Sequence, residues 1–316
     1  MGLPVTSEEE FLRLCREVRS TTLIAQKLGI SQRNVLARKR RIEQRRGIDI
    51  GEMNAQRVEV IHARHSATIT LNVENGIVVV FSDAHYWPGL VTTAHRALLK
   101  VIDGLKPRAV ICNGDAFDGA AISRFPRIGW DKKPSVKDEL RTVTERLEEI
   151  RQTAGRAHLT WPLGNHDARF ETRLAQSAPE FEGVSGFHLK DHFPEWGPCW
   201  ATRINQDVVV KHRLRGGIHA THNNTLNSGL TTVTGHLHQL KVTPFSDYRG
   251  RRFGVDTGTL ADPGGPQFID YTEAGPVNWA SGFAVLTFHK GVLLPPELVE
   301  KMDEDHIVFR GTVIPV

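Results

Sequence analysis

Five short apolar runs in this chain each break off into residue types that bind metal ions. Val80-Phe81 leads into Ser82-Asp83-Ala84-His85, and Ile111-Cys112 leads into Asn113-Gly114-Asp115-Ala116-Phe117-Asp118. Trp161-Pro162-Leu163 leads into Gly164-Asn165-His166-Asp167, Val209-Val210-Lys211 into His212, and Val233-Thr234 into Gly235-His236-Leu237-His238. A continuous apolar run of this length reads as a strand buried on both faces. In an open α/β sheet, sites form beyond the carboxyl ends of such strands. The fold must therefore be one that brings these strand ends together. Taken singly the motifs are weak, because Asp-x-His is usually solvated and Gly-Asp and Gly-Asn-His-Asp also suit turns. Their weight lies in their order and in their shared position at strand ends. Residues i and i+2 of an extended segment face the same side, so Asp83 with His85, and His236 with His238, are each expected to face one pocket. Glycines beside Asp115, Asn165 and His236 are expected to let the backbone turn sharply as it leaves each strand.

The rest of the chain gives the frame. Helices are expected over residues 90–104, 135–154 and 168–176, and strands over 67–72, 241–248, 252–255, 281–289 and 291–294. Strands alternating with helices, then strands alone, predict a mixed α/β domain over residues 57–316. Residues 48–56 read as a linker, and residues 1–47 as a small all-α domain. Within it, Ala25, Gly29 and Val35 follow helix-turn-helix spacing: a small residue where helices cross, a turn that needs positive φ, and a core position. Residues 1–50 hold eleven Lys and Arg against six Asp and Glu, so the whole excess of the +4 net charge lies there. That asymmetry points to a polyanion as partner. Gln32, Arg33, Arg38, Arg40 and Arg41 are the candidate DNA-binding residues on the third helix. The other reading is a docking or oligomerisation module with a solvated basic face. Three scattered cysteines argue against a disulfide framework or a cysteine zinc site. With no membrane-spanning run and no secretory signal, a cytoplasmic protein is expected.

The ordered series Asp-x-His, Gly-Asp-x-x-Asp, Gly-Asn-His-Asp, His, Gly-His-x-His resembles that of the calcineurin-like metallophosphoesterases, over about residues 76–290. The resemblance implies a four-layer fold, two packed β-sheets flanked by helices. It implies two divalent metal ions, one held by Asp83, His85 and His238, the other by Asn165, His212 and His236, with Asp115 bridging both. The imidazole and carboxylate mixture favours manganese first, with iron, zinc or nickel as alternatives. It further implies a metal-activated hydroxide attacking phosphorus, His166 protonating the leaving oxygen, and Asp118 orienting His166. Two departures stand out. Arg213 follows His212 where the family usually has Gly, so His219 and His222 are rivals for that ligand. Gly119 stands where protein Ser/Thr phosphatases carry Arg. Arg124, Arg127, Lys132 and Arg169 either contact phosphate or form a solvated basic surface. A phosphoesterase fused to a helix-turn-helix resembles proteins of bacterial viruses and prophages. The expected function is hydrolysis of a phosphodiester, with nucleic acid as substrate. The alternatives are a DNA-binding regulatory or packaging accessory protein with an inactive phosphoesterase domain, and a phosphomonoesterase or nucleotide hydrolase.

Overall fold

The structure is a computed structural model. It describes residues 6–18, 20–50, 61–62, 67–125, 128, 130, 132–273 and 275–316, without the side chains of residues 61, 62 and 270. The chain divides into two compact units, Met1–Arg57 and Val58–Val316. Val58 and Val60, whose alternation predicts the start of a strand running into Ile61, lie outside the described residues, as do Arg127 and most of the expected linker.

The first unit is three helices, Glu8–Val18, Thr21–Leu28 and Gln32–Arg46. Ser20 and Ser31 cap the second and third, accepting hydrogen bonds from Leu23 N and Asn34 N. Each cap of this kind contributes about 1 kcal/mol. Gly29 ends the second helix at φ 63° and Gly47 the third at the same angle, a left-handed conformation that glycine adopts without a Cβ penalty. Phe11, Cys15, Ile24, Ala25, Val35 and Ile42 form the core. Ile48 and Ile50 pack onto it, and Ile50 N donates to Glu43 Oε1, so the chain after Gly47 folds back onto these helices before any linker begins.

The second unit is a two-sheet sandwich. One sheet has nine strands among the described residues. It runs from a C-terminal antiparallel meander (Thr312–Pro315, His306–Phe309, Glu297–Lys301) through Gly282–His289 to Gly76–Phe81. It continues in parallel through Ala109–Cys112, His158–Pro162 and Gly197–Cys199, and the ninth strand, Val292–Leu293, pairs with Gly282–His289 off this path. The other sheet has seven strands, ordered Ile61–His62, Thr68–Leu71, Ala201–Ile204, Val208–Val210, Thr231–Thr234, Gly250–Asp256 and Lys241–Asp247.

Alternation along the strands builds both cores at once. Val78, Val80, Ala109, Ile111, Ala284 and Leu286 point between the sheets, where they meet Val208, Val210, Val233 and Val255. Val79, Phe81, Val110, Cys112, Phe283 and Val285 point the other way, onto the helices Thr93–Leu105 and Val136–Ala154. Each fully buried Val or Phe contributes about 1.5–3 kcal/mol. This two-faced burial is why these strands read as unbroken apolar runs. On the outer face of the seven-stranded sheet lies a helix, Ala220–Ser228, that the hydrophobic pattern did not predict. Between the expected strands 241–248 and 252–255 the turn starts one residue early and is tighter, with Tyr248-Arg249 alone linking strands that pair from Asp247–Gly250 to Lys241–Asp256.

Candidate metal centre

The three segments carrying the candidate ligands Asp83, His85, Asp115 and Asn165 leave neighbouring parallel strands of one sheet. His212 and His236–His238 leave neighbouring parallel strands of the other. The sandwich therefore presents all seven side chains at one edge. His238 Nε2 lies 3.0 Å and His85 Nε2 3.9 Å from Asp83 Oδ1. His212 Nε2 lies 3.1 Å from Asp115 Oδ2 and 4.0 Å from Asp83 Oδ1, linking the two carboxylates. Asp83, His85 and His238 form one group whose ligating atoms all fall within 4.8 Å of one another, and Asp115, His212 and His236 form another. Asn165 stands beside His212 in the adjoining groove.

The local backbone differs from the extended geometry expected of the paired motifs. Asp83 (φ 53°), His85 (φ 38°), Asp115 (φ 54°), His236 (φ 71°) and His238 (φ 58°) are all left-handed. Such positions cost of order 1–3 kcal/mol each in non-glycine residues and persist only where the surroundings impose them. Asp83 and His85 converge because the backbone kinks at both, not because they alternate along a strand. The surroundings are visible. Asp83 N donates to Gly114 O, His85 N to Asp115 O, and Asp83 Oδ2 accepts from His236 N. The neighbouring glycines serve contact more than turning. Only Gly114 has positive φ, while a Cβ on Gly164 would lie 2.0 Å from Asp115 Oδ1 and one on Gly235 would lie 2.5 Å from Asp83 Oδ2.

Hydrogen bonds set the imidazoles. His212 Nδ1 donates to Asn113 O over 2.8 Å, which turns Nε2 to the centre. His85 Nδ1 and His166 Nδ1 both donate to Asp118 Oδ1, over 2.8 and 2.9 Å. Asp118 thus orients His85 as well as His166, the carboxylate–histidine arrangement that supports metal-ligating imidazoles. Arg169 donates to Asp118 O and lies 3.1 Å from His166 Nε2, so it belongs to the site. His219 and His222 are exposed at and on the helix Ala220–Ser228.

Charge is concentrated here. Burial would raise Asp83, but His238 and His212 more than offset it and hold its carboxyl at about 2. Burial would lower His212, but Asp115 and Asp83 push it up to about 10. Burial also opposes ionisation of Asp118, yet its hydrogen bonds from His166 and His85 hold it far below the usual carboxylate range. Burial would lower His166, but Asp115 and Asp118 raise it. The two carboxylates at the centre thus favour positive charge between them. Meanwhile His85 Nε2, His212 Nε2, His238 Nδ1 and Asn165 Oδ1 are buried with no hydrogen-bond partner. Buried polar atoms left unpartnered around anionic groups are costly unless a cation, a proton on the imidazole or a metal ion, takes up the charge. The residues fit bound metal.

Three carboxylates outside the predicted set hold this geometry. Asp167 accepts from Asp115 N, Gly164 N, Trp161 Nε1 and Phe117 N, all within 3.1 Å, and so ties two strand ends together. Glu139 accepts from Gly119 N and Ala120 N directly after Asp118. Asp256 accepts from Gln239 N and Gly258 N beside His238. Glu139 could have been found, since it is a charged residue inside the apolar stripe of its helix.

Fold and site together define a metal-dependent phosphoesterase. The chain belongs to the calcineurin-like phosphoesterase family, whose sequence model matches residues 77–255. It is 26% identical over 234 residues to the Gene 54 protein of Mycobacterium phage L5, an alignment covering 65% of this chain and 86% of that protein. Among solved structures it is similar to zinc-complexed Vps29 from Entamoeba histolytica, at 14% identity and a TM-score of 0.38, over 75% of this chain and 96% of that one. It is also similar to an archaeal phosphodiesterase, at 14% identity and a TM-score of 0.36, over 71% and 99% of the two chains.

Proposed function

We propose that the chain hydrolyses a phosphodiester, with nucleic acid as the substrate, using two divalent cations of which manganese is the first choice. Asp83, His85 and His238 would hold one and Asn165, His212 and His236 the other, with Asp115 between them. Divalent cations bound there supply Lewis acidity, neutralising phosphoryl charge and making water nucleophilic at neutral pH. The protein's own groups do the rest. Asp118 fixes the His166 ring through Nδ1, and Nε2 then lies on the open side, 4.0 Å from Asp115 Oδ2, where it can protonate a leaving oxygen. Arg169, beside the same nitrogen, is placed to take one phosphoryl oxygen and to steady its charge. The observation that carries the reading is the set of unpartnered buried nitrogen and oxygen atoms on His85, His212 and Asn165 around Asp83 and Asp115.

The first unit supports a DNA-binding role through its helix pair about Gly29. Gln32, Arg33, Arg40 and Arg41 are exposed. Arg38 is held internally, donating to Thr6 O and lying 4.6 Å over the Phe11 ring, while Arg45 and Arg46 pair with Glu8. The phosphate contacts of this unit therefore rest on the four exposed residues.

The test is metal content together with turnover of bis-p-nitrophenyl phosphate and p-nitrophenyl phosphate in Mn²⁺. The purified protein should carry divalent metal and prefer the diester. Asp115→Asn should lose metal, and His166→Ala should keep metal but lose about 10²–10⁴-fold in turnover. A protein that holds metal yet hydrolyses neither ester would support the accessory-protein reading instead.

A further inference from the structure

A groove enclosing about 510 Å³ opens from the Asn165 and His212 side of the centre. Its walls carry Arg124, Arg169, Arg173, Lys211 and Arg213, and no carboxylate among the described residues. None of these cations is in an ion pair with a described carboxylate; Arg169 donates to Asp118 O and lies against His166 Nε2, and Arg124 lies 5.1 Å over the Phe125 ring. Arg169 and Arg173 stand four residues apart on the helix Arg169–Ser177, which puts them on one face, about one turn from each other. Along this helix the positive charge extends from Arg169, at the centre, one turn further to Arg173. Two aromatic rings stand in the same walls. Trp200 is 50% exposed and Phe125 is 61% exposed, although both belong to residue types that normally bury.

We propose that this groove binds an unpaired single strand of nucleic acid and leads one of its phosphodiesters to the centre. The inference rests on the phosphodiester reading above and names its substrate class. Cations one helical turn apart match successive backbone phosphates, and the half-exposed ring of Trp200 matches an unstacked base. A lone mononucleotide would satisfy the cations nearest Asn165 and leave Arg173, a helical turn further on, without a counterpart. A duplex offers no free base face to Trp200, because its bases are stacked on one another.

The experiment uses the full chain and a short fluorescent oligothymidylate carrying 5-iodouracil, with chelator present to prevent turnover. Anisotropy should show Trp200→Ala and Arg173→Ala each weakening binding by about five-fold or more. Arg173→Ala should also flatten the dependence of log affinity on log salt by about 0.7. Photo-crosslinks should fall on Trp200, Phe125 or their neighbours, and thymidine monophosphate should compete poorly. Both variants should hydrolyse bis-p-nitrophenyl phosphate as the wild type does, since neither residue touches the centre. Unchanged affinity in both variants, cross-links confined to residues 1–57, or equal competition by the mononucleotide would each overturn the proposal. The wild type's turnover of the small diester reports separately: its absence sinks the phosphodiester reading, whereas the cross-links judge the groove.

Discussion

Five of the seven metal-ligand candidates hold left-handed backbone, and that strain has to be stored in hydrogen bonds made by other residues. Asp167 holds Asp115 N and Asp256 holds Gln239 N next to His238, while Glu139 fixes Gly119 and Ala120 directly after Asp118. Glu139 is the one whose contribution can be isolated. Its carboxyl is pushed up from 4.5 to about 7, first by burial and then by the charge of Asp118, although Gly119 N and Ala120 N pull the other way. A carboxyl whose folded pKa is raised binds its proton more tightly in the folded state. Its stabilisation is therefore present below about 4.5 and is lost as the pH rises to about 7. Glu139→Gln, which mimics the neutral form, should remove this dependence. Urea unfolding of both proteins across that range should show the wild type losing ground to the variant by about 3 kcal/mol in all. A constant difference would mean that Glu139 titrates normally. At this scale the sequence was legible in chemistry and opaque in geometry. The motifs named Asp83, His85 and His236 because few other roles place those types at strand ends. Nothing local announced that Gly164 and Gly235 are glycines because Asp115 and Asp83 press against them. That contact joins residues far apart in the chain.

Among the elements, those with strong periodicity were readable and those held by close approach were not. The helix Val136–Ala154 shows its apolar stripe, and the strands Gly76–Phe81 and Ala109–Cys112 show their two-sided burial. The helix Ala220–Ser228 has no such stripe. It buries Ala220, Thr221, Asn224 and Thr225, small and polar residues that pack only because the strand beneath offers Gly254. A Cβ at Gly254 would lie 2.0 Å from Thr221 O, so the backbones themselves are in contact. Gly254→Ala should lift this helix from its sheet and destabilise the second unit by about 1–3 kcal/mol. Thermal unfolding would register that loss. The same change at Gly155, where a Cβ meets nothing within 4 Å, removes the space argument and leaves only the strain of its φ of 60°. If Gly254→Ala unfolds no earlier than the wild type, the tight contact does not hold the helix. The helix continues toward Gly229 and the strand Thr231–Thr234, which ends at the His236 loop, so the packing should also bear on how firmly that loop is held.

For the whole molecule the question is whether the two units are separable machines. Each has its own core: Phe11, Ile24, Val35 and Ile50 in one, and the two layers of the sandwich in the other. Every residue assigned to the metal centre lies in Val58–Val316, and the basic excess of the sequence lies in Met1–Arg57. The metal centre and its cationic groove thus lie in one unit and the net basic excess in the other, so on the proposed function the first unit would hold duplex DNA and the second would carry the reaction. A chain of residues 58–316 should keep the full protein's turnover of bis-p-nitrophenyl phosphate and its metal content. Its affinity for duplex DNA should fall, and the slope of log affinity against log salt should shrink by about 0.9 for each phosphate contact removed. Arg33→Ala with Arg40→Ala in the full chain should reproduce part of that fall without touching turnover. Duplex affinity unchanged by the truncation would assign the first unit to docking or assembly. Lost turnover of the small ester in a folded, metal-loaded truncation would show that the centre depends on the first unit after all.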